Sequence, residues 1–361
     1  MGWLRENCKA CIMIRMKPIR RIASILCLFC CGILCACSSA GRNAGPVERT
    51  LFAMDTFVML TAYGEAADDA LTACASELQR LEGLFSATQE TSDIARLNAS
   101  DGTAVAVDDD TAALLQQAIA LSAQTGGAFD PTVYPLMRLW GFGEDPSVPD
   151  AHEIESMLTL VGAGRITLAD GCASLPTGMG VDLGGIAKGY AADKLSHLLA
   201  DAGVESALLS LGGNVSAVGC KPDGSSWRIA VRDPADETAI VGVVEACDLA
   251  VVTSGGYQRY FEQDGVRYHH ILDPDTGYPA DSGLASSTVI ASSGTKADAL
   301  STALFVMGPE DAIAYWREYG SGEDGFSFVL VTDGGEVLYS ENAPFSPTVE
   351  RSRRIVAQPA Q

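Results

Sequence analysis

Residues 178–193 read Gly-Met-Gly-Val-Asp-Leu-Gly-Gly-Ile-Ala-Lys-Gly-Tyr-Ala-Ala-Asp. In this stretch a short apolar segment ends at Asp182, two glycines follow, and a helical pattern begins at Ile186. Glycines let the backbone approach a ligand closely, and the free N–H groups of a helix N-terminus bind anions, here with Lys188 one turn in. A tight strand-to-helix turn capped by Asp182 explains the same residues without a ligand. Taken alone, the stretch favours the turn.

The hydrophobic pattern on either side of this stretch is mixed. It predicts helices over residues 66–85, 111–125, 186–202 and 295–307, and strands over residues 50–63, 206–211, 227–232, 240–247, 249–253, 257–262, 266–272, 285–291 and 326–331. Asp264-Gly265 and Gly334-Gly335 are expected hairpin turns. Because strands outnumber helices, we expect an α+β fold, a single mixed domain over residues 49–343 with an antiparallel-rich sheet and packed helices. Residues 344–361, rich in Pro, Ser and Arg, are expected to be disordered.

The N-terminal segment has the pattern of a targeting signal. Basic residues precede an apolar run over residues 22–36, which is too short to span a membrane comfortably. The run ends in Leu34-Cys35-Ala36-Cys37, a pattern that resembles a bacterial lipoprotein signal. An uncleaved anchor helix and an ordinary signal peptide are the alternatives. We predict a signal peptide over residues 1–36, lipid attachment at Cys37, a tether over residues 37–48, and export with anchoring to the cell membrane on its periplasmic or extracytoplasmic face.

Composition excludes several classes of function. The 361 residues carry a net charge of −22, which argues against nucleic-acid binding. Seven of the eleven cysteines lie at or before Cys37, and the other four are widely spaced without a CxxC pair, so a zinc site is not expected. One disulfide and buried free thiols remain equally open for those four. The chain has four histidines and no phosphate-loop, nucleophile-elbow or HExxH motif.

Blocks rich in Gly, Asp, Ser and Thr carry the chemical information instead. Asp298, Ser301 and Thr302 fall at i, i+3 and i+4 of a predicted helix, so their oxygens share one face. This set suits part of a magnesium shell that substrate phosphates complete. A capped amphipathic helix, whose hydroxyls bond back to the preceding turn, is the alternative.

Two further blocks have an open interpretation. His270 precedes an acidic turn, Asp273-Pro-Asp-Thr-Gly-Tyr-Pro279, and is either a general base or a half-buried strand histidine. Residues 126–143 hold aromatics and prolines that we expect to form a loop, which either walls a flat ring or covers the surface.

Taken together, the blocks resemble the ApbE-like family of FAD:protein FMN transferases. The matching segments are MDT at 54–56, FDPTVYPLMRLWGFG at 129–143, VDLGGIAKGYAAD at 181–193, SLGGN at 210–214, TSGGYQRYF at 253–261, HILDPDTGYP at 270–279 and TKADALSTALFVMG at 295–308. The resemblance covers about residues 50–340, and several ordered blocks are far more specific than any one of them. It therefore favours the functional interpretation of each block.

The resemblance implies a Mg²⁺-dependent enzyme that takes FAD as its substrate. FMN would pass from FAD to a Thr or Ser hydroxyl of an exported acceptor flavoprotein, such as a flavoprotein subunit of an Na⁺-pumping complex, and AMP would leave. By the same resemblance, His270 activates the acceptor hydroxyl, and Lys188 and Asp298 are the other catalytic residues. The implied metal ligands are the carbonyl of Gly185 and the side chains of Asp298, Ser301 and Thr302, with Ser301 standing where the family often has a second acid. The implied FAD-binding residues are Met54, Thr88, Ala128, Phe129, Asp130, Asp182, Lys188 and Leu272.

Two other functions are compatible with the sequence. With water as the attacking group, the same site would be a periplasmic FAD pyrophosphatase that yields FMN and AMP. A non-catalytic lipoprotein that binds FAD belongs to a different class, and the presence of His270, Lys188, Asp298 and Thr302 argues against it, because binding alone needs no face of metal ligands.

Overall fold

A computed structural model of the protein describes residues 45–142 and 145–357. The predicted signal peptide, the lipidation site Cys37 and most of the predicted tether lie outside the described residues. The described residues form one compact unit. Among them, none of the helices combines the length and the apolar character needed to cross a bilayer.

The elements of the described part confirm the α+β class. Its helices are α1 (Ala67–Phe85), α2 (Asp93–Asn98), α3 (Asp109–Gln124), α4 (Tyr134–Trp140), α5 (Ala151–Leu158), α6 (Ala187–Asp201) and α7 (Gly294–Tyr319), with 3₁₀ turns at Pro131–Val133 and Ala163–Arg165. Its strands are β1 (Val47–Ala53), β2 (Thr56–Tyr63), β3 (Val105–Ala106), β4 (Thr167–Ala169), β5 (Cys172–Ser174), β6 (Ser206–Leu211), β7 (Asn214–Val218), β8 (Trp227–Asp233), β9 (Asp236–Ala246), β10 (Ala250–Gly255), β11 (Tyr260–Gln263), β12 (Val266–His269), β13 (Leu284–Ala291), β14 (Phe326–Thr332), β15 (Val337–Ser340), β16 (Phe345–Pro347) and β17 (Ser352–Ile355).

A nine-stranded sheet organises the domain. Its strand order is β1-β2-β6-β7-β10-β13-β14-β15-β17, and each neighbouring pair is antiparallel except β15 with β17. Three smaller sheets accompany it, in the orders β16-β9-β8, β3-β5-β4 and β11-β12. The predicted hairpin turns at Asp264-Gly265 and Gly334-Gly335 join β11 to β12 and β14 to β15, as expected.

The two faces of the large sheet are covered differently. On one face, α1 and α6 pack against β1, β2 and β6, and α7 packs against β10, β13 and β14. On the other face, the small sheet β16-β9-β8 covers the strands from β7 to β15 through apolar side chains such as Trp227, Val244 and Val329. At the β1–β2 end, this second face is left open, and the open end lies beside the site described below.

The structure corrects three local predictions and adds short elements. The strand expected over 50–63 is a hairpin, because Met54 and Asp55 adopt the left-handed backbone (φ 52° and 57°) of a two-residue turn. The loop expected over 126–143 contains a 3₁₀ turn and α4, since Pro131 and Pro135 occupy first-turn positions that tolerate proline. The last helix runs on to Tyr319 through a break at Gly308. The short helices α2 and α5 and the short strands β3, β4, β5, β7 and β15 were not predicted.

The predicted disorder of residues 344–361 is wrong for most of that segment. β16 pairs with β9 and β17 pairs with β15, and the side chains of Phe345 and Ile355 are buried in the core. Burial of these two side chains and the ladder hydrogen bonds offset the entropy cost of ordering the chain. At the other end, β1 begins at Val47, inside the predicted tether. The domain is therefore longer at both ends than the predicted 49–343.

The four cysteines of the domain resolve into one disulfide and two free thiols. Cys220, which follows β7, is bonded to Cys247, which follows β9, across a separation of 27 residues. Cys74 is a buried free thiol, and burial raises its pKa to about 12, so it is protonated and unreactive at neutral pH. Cys172 is half-buried and free. The disulfide ties the small sheet to the large one.

Replacing Cys220 and Cys247 together by serine should lower the free energy of unfolding by about 2–4 kcal/mol, because the cross-link limits the entropy of the unfolded chain over a loop of this length. Guanidinium unfolding followed by circular dichroism measures the loss. The matched control is Cys172→Ser, which removes a free thiol and should shift the midpoint little. Equal stability of the double variant and the unaltered protein would contradict the expectation.

Candidate active site

A cavity of about 1320 Å³ opens where the large sheet, α6 and α7 meet. It is lined by the turn between β1 and β2, the segment before α4, the start of α6, one face of α7 and the segment after β12. Every predicted catalytic, FAD-binding and metal-binding residue except Ser301 lies on its wall: Met54, Thr88, Ala128, Phe129, Asp130, Asp182, Gly185, Lys188, His270, Leu272, Asp298 and Thr302. Segments far apart in sequence thus converge on one site, which we call the active-site cavity.

The helices α6 and α7 touch at their N-terminal ends through two glycines. A Cβ atom on Gly189 would lie 2.1 Å from the carbonyl oxygen of Gly294, so only glycine fits at this crossing. The close approach lets the N–H of Gly189 donate to Oδ2 of Asp298 at 2.9 Å. In a regular helix, that N–H would donate to the carbonyl of Gly185, four residues earlier. Within the described part of the chain, no backbone N–H is hydrogen-bonded to the Gly185 carbonyl.

Oxygen atoms of different kinds therefore come together at the start of α6. A Cβ atom on Gly185 would lie 3.5 Å from Oγ1 of Thr302, which places this backbone beside the hydroxyl. Asp298 is buried on the same face of α7, one turn before Thr302. A carbonyl, a carboxylate and a hydroxyl are ligands that suit Mg²⁺. The residues described contain no group of three His, Cys, Asp or Glu side chains able to hold a metal.

Ser301 lies behind this group rather than on the cavity wall. Its side chain is fully buried, and its hydroxyl donates to the carbonyl of Asp298 at 2.8 Å. Oγ of Ser254 on β10 lies 2.8 Å from Oγ of Ser301 and 3.2 Å from Oγ1 of Thr302. Ser254 thereby links the two hydroxyls of α7 to the sheet. Ser301 therefore contacts α7 and β10 and does not line the cavity.

Asp193 fixes the N-terminus of α7. Its Oδ1 accepts from the N–H of Gly294 at 2.6 Å, and its Oδ2 accepts from the N–H and the hydroxyl of Thr295 at 2.9 and 2.7 Å and from the hydroxyl of Ser293 at 3.0 Å. These N–H groups have no partner within the helix itself, so a carboxylate is a good cap for them. Because Asp193 belongs to α6, the cap also holds the two helices together one turn away from Asp298.

Asp130 and Asp182 shape another part of the cavity wall. The buried carboxylate of Asp130 accepts from the N–H of Thr132 at 2.8 Å and from the N–H of Ala163 at 2.9 Å. Asp182 donates its N–H to the carbonyl of Pro131 at 2.8 Å, and its Oδ1 accepts from the N–H of Gly184 at 2.6 Å. Asp130 thus organises the segment that carries Phe129, while Asp182 holds the glycine turn before α6.

Met54 reaches the cavity from an unusual backbone conformation. Its left-handed φ is costly for a residue with a side chain, and its N–H donates to Oε1 of Glu82 on α1 at 2.8 Å. Glu82 also lines the cavity, and the sequence offered no sign of this role beyond a polar residue on an amphipathic helix. Thr88 lies nearby, where its N–H donates to the hydroxyl of Ser86 at 3.2 Å.

The structure separates the roles of the two adjacent histidines. His269 does not line the cavity; its Nε2 lies 3.1 Å from the carbonyl of Ala280, and its Nδ1 accepts from the N–H of Ile271 at 3.3 Å. His270 lines the cavity, and its Nδ1 lies 3.1 Å from the carbonyl of Arg259. A carbonyl oxygen only accepts, so Nδ1 of His270 carries the proton and Nε2 has a free lone pair.

Burial keeps the His270 imidazole neutral. Removal from water lowers the pKa of His270 to about 4, and the nearby charges of Arg259 and Lys188 act in the same direction. At neutral pH, the ring can therefore accept a proton at Nε2. Lys188 donates from Nζ to the carbonyl of Gly184 at 2.8 Å, which holds its ammonium group at the start of α6.

Asn214 was assigned no role of its own from the sequence. Its side chain is buried, it lines the cavity, and its Nδ2 has no hydrogen-bond partner among the described residues. A buried donor without a partner costs about 1–3 kcal/mol. An acceptor group of a bound ligand would remove that cost.

Comparison with known proteins gives the same family across the domain. The ApbE family model matches residues 54–324. The FAD:protein FMN transferase of Treponema pallidum is 37% identical over 326 residues, which cover 83% of this chain and 88% of that protein. The FAD:protein FMN transferase of Vibrio cholerae is 37% identical over 281 residues, covering 76% of this chain and 83% of the relative. Among solved structures, the ApbE protein of Thermotoga maritima aligns with a TM-score of 0.77 at 36% identity, over 82% of this chain and 97% of that one.

Fold, cavity and similarity thus define an enzyme of the transferase class. The chain belongs to the ApbE family. The resemblance seen in the sequence blocks is confirmed.

Replacing Asp193 by alanine should lower the free energy of unfolding by about 1–3 kcal/mol, because it leaves polar groups at the start of α7 without their acceptor. Guanidinium unfolding measures the change. Asp201→Ala is the matched control, since it removes an exposed carboxylate from the last turn of α6. A loss no larger than that of the control would contradict the capping role.

Proposed function

We propose that this enzyme transfers FMN from FAD to a Thr or Ser hydroxyl of an exported acceptor flavoprotein and releases AMP, with Mg²⁺ as the required metal. The observation that carries the proposal is the convergence of three features in one cavity. They are the oxygen atoms around Gly185, the N-terminus of α6 with Lys188, and the neutral imidazole of His270. Charge stabilisation and proton removal are the two tasks that a phosphoryl transfer to a hydroxyl needs.

The start of α6 suits the pyrophosphate of FAD. The N–H groups of a helix N-terminus favour anions, and Lys188 adds a positive charge within the first turn. Gly185, Asp298 and Thr302 would hold Mg²⁺ beside these phosphates. When bound, Mg²⁺ neutralises negative charge on the phosphate oxygens and orients them. The ring of Phe129 lies beside Gly185 and supplies an apolar surface within the same cavity.

His270 accounts for the activation of the acceptor hydroxyl. A threonine hydroxyl is a weak nucleophile, and a positioned base accelerates its attack by roughly 10²–10⁴-fold. In the step, the hydroxyl oxygen bonds to the phosphorus of the FMN half, the bond from that phosphorus to the bridging oxygen breaks, and AMP leaves with the bridging oxygen. The hydroxyl proton moves to Nε2 of His270, whose Nδ1–H stays on the Arg259 carbonyl.

Export and lipid anchoring are part of the proposal. They rest on the apolar run before Cys37 and its Leu-x-Ala-Cys spacing. An anchored enzyme on the outer side of the membrane would meet exported acceptors there. Replacing Cys37 by serine should abolish labelling by a palmitate analogue in cells and release the enzyme from the membrane fraction; labelling that persists would reject Cys37 as the lipid site.

The activity is tested with the domain from residue 45 on, FAD, Mg²⁺ and the flavin-carrying domain of an exported Na⁺-pump flavoprotein subunit. Intact-mass spectrometry of the acceptor should show the gain of one FMN, and chelation with EDTA should abolish it. FMN and AMP free in solution, without a gain in acceptor mass, would instead identify a pyrophosphatase. Bound FAD without either product would identify a flavin-binding protein.

Asp298→Asn should reduce the transfer rate by at least about 10²-fold while the fold stays intact. The amide oxygen can still accept from Gly189, but the site loses the negative charge that binds the metal. Asp69→Asn, on the exposed first turn of α1, is the matched control and should keep the full rate. Transfer by the Asp298 variant at near the unaltered rate would rule out Asp298 as a metal ligand.

The pH dependence follows from the lowered pKa of His270. The base must be neutral, so kcat/KM should stay level from about pH 8 down to about pH 5.5 and fall only as the pH approaches about 4. An unperturbed histidine would lose activity around its ordinary pKa of about 6.5.

A second variant isolates the histidine. His270→Gln should lose roughly 10²–10⁴-fold in rate together with this acid limb. His152→Gln, an exposed histidine on α5, should change neither. An acid limb that persists unchanged in the His270 variant would assign it to another group.

A further inference from the structure

The active-site cavity extends well beyond the residues assigned to FAD and metal. Its volume of about 1320 Å³ exceeds the roughly 300–1000 Å³ of an ordinary small-molecule site. The additional part runs between the open end of the large sheet and the strand β8. It is lined by Phe57, Met59, Leu208, Ser210, Val215, Arg228, Ile229, Ala230 and Arg232. We call this part the docking groove.

One wall of the docking groove is the free edge of a sheet. β8 is the outer strand of the small sheet, where it pairs with β9 on one side only. Arg228, Ile229 and Ala230 are consecutive, so their side chains alternate between the two faces, yet all three line the groove. A strand whose edge faces the groove explains this. Its outward N–H and C=O groups have no strand partner among the described residues, and such an edge accepts an added strand.

The opposite wall is an exposed apolar patch. Phe52, Phe57 and Met59 lie on the open face of the β1–β2 hairpin and are 62%, 71% and 57% exposed. Phe52 and Phe57 are cross-strand partners whose ring centroids lie 5.5 Å apart. Exposed apolar clusters of this kind typically mark binding surfaces. The patch therefore gives the groove a surface for apolar side chains.

The groove also carries unpaired positive charge on an acidic protein. Arg228 and Arg232 are exposed on the same face of β8 and, at about 3.3 Å per residue, lie about 13 Å apart. Among the described residues, neither guanidinium forms an ion pair within 4 Å or a side-chain hydrogen bond, although the chain has a net charge of −22 and Glu245 on β9 is the cross-strand neighbour of Arg228. Their charge is available to carboxylates of a partner.

We propose that the docking groove binds the acceptor protein. The acceptor presents an extended segment that adds as a strand to the free edge of β8. It covers the apolar patch of Phe52, Phe57 and Met59, and it pairs carboxylate side chains with Arg228 and Arg232. Because the groove is continuous with the active-site cavity, a hydroxyl at one end of the segment reaches His270. The inference rests on the proposed function and adds to it the surface that recognises the protein substrate.

The double variant Arg228→Glu, Arg232→Glu separates acceptor binding from chemistry. With the Na⁺-pump flavoprotein domain as acceptor, its KM for the acceptor should rise about 10-fold or more, while kcat at saturating acceptor stays within about twofold. The Kd for FAD should stay unchanged. Raising the salt concentration should increase the acceptor KM of the unaltered enzyme and affect the double variant less, because screening acts on the charge pairs.

Arg354→Glu is the matched control. Arg354 is exposed on β17, at the far end of the nine-stranded sheet from the hairpin. The same charge reversal there should leave the acceptor KM unchanged. Thermal unfolding of all variants establishes that they are folded.

Hydrogen exchange provides a measurement that does not depend on turnover. Adding an acceptor domain whose flavinylated threonine is replaced by valine should slow exchange in the peptide that contains residues 227–233. The peptide from β17 should not change. Phe57→Ser should weaken this protection, since it removes the more exposed of the two rings of the patch.

The outcomes distinguish the inference from the proposed function. If the unaltered enzyme transfers FMN but the double variant has the same acceptor KM and no protection appears in β8, the groove is not the docking site. If the Kd for FAD rises instead, the arginines belong to the FAD site and the inference is overturned. If the unaltered enzyme modifies no acceptor at all, the proposed function fails before the groove is tested.

Discussion

The site depends on the contact between the N-terminal ends of α6 and α7. Gly189 and Gly294 allow the two backbones to touch, and Asp298 takes over a hydrogen bond that would otherwise close the first turn of α6. The carbonyl of Gly185 is thereby left without a backbone partner, and the Asp193 carboxylate locks the crossing in place. A side chain at either glycine would separate the helices and remove the oxygen cluster. The contact that packs the two helices is therefore also the contact that forms the oxygen cluster.

The two faces of the large sheet carry different parts of the proposed function. The helical side carries the proposed phosphate and metal site, because helix ends supply N–H groups and oriented side chains. The small sheet covers most of the other face and stops before the β1–β2 hairpin, which leaves an edge strand and an apolar patch exposed beside the cavity. A transferase with a protein substrate needs both a pocket for the donor and an open surface for the acceptor. The fold places them next to each other.

Two adjacent histidines with lowered pKa values differ in their surroundings. His269 and His270 are adjacent, and burial lowers the pKa of each. The ring of His269 is held between two backbone groups and does not line the cavity, whereas His270 has a single fixed nitrogen and lines the cavity. The buried thiol of Cys74 is kept protonated by the same effect. Access to the cavity and the hydrogen bonds of the ring separate the proposed base, His270, from the structural residue His269.

The sequence by itself determined the α+β class, the long helices α1, α3, α6 and α7, and a set of site residues of which all but Ser301 line the cavity. Periodicity and glycine-rich turns are local signals, and the family blocks are ordered along the chain. The sequence could not place the terminal strands β16 and β17. The partner of β16 lies 100 residues or more away in sequence, and β17 is held by a short parallel ladder. Nor could it separate Ser301 from Thr302, which share one helix face by spacing. Long-range packing decides which of these two hydroxyls lies on the cavity wall. It also decides that β8 has a free edge beside the cavity. Tertiary structure alone decided those points.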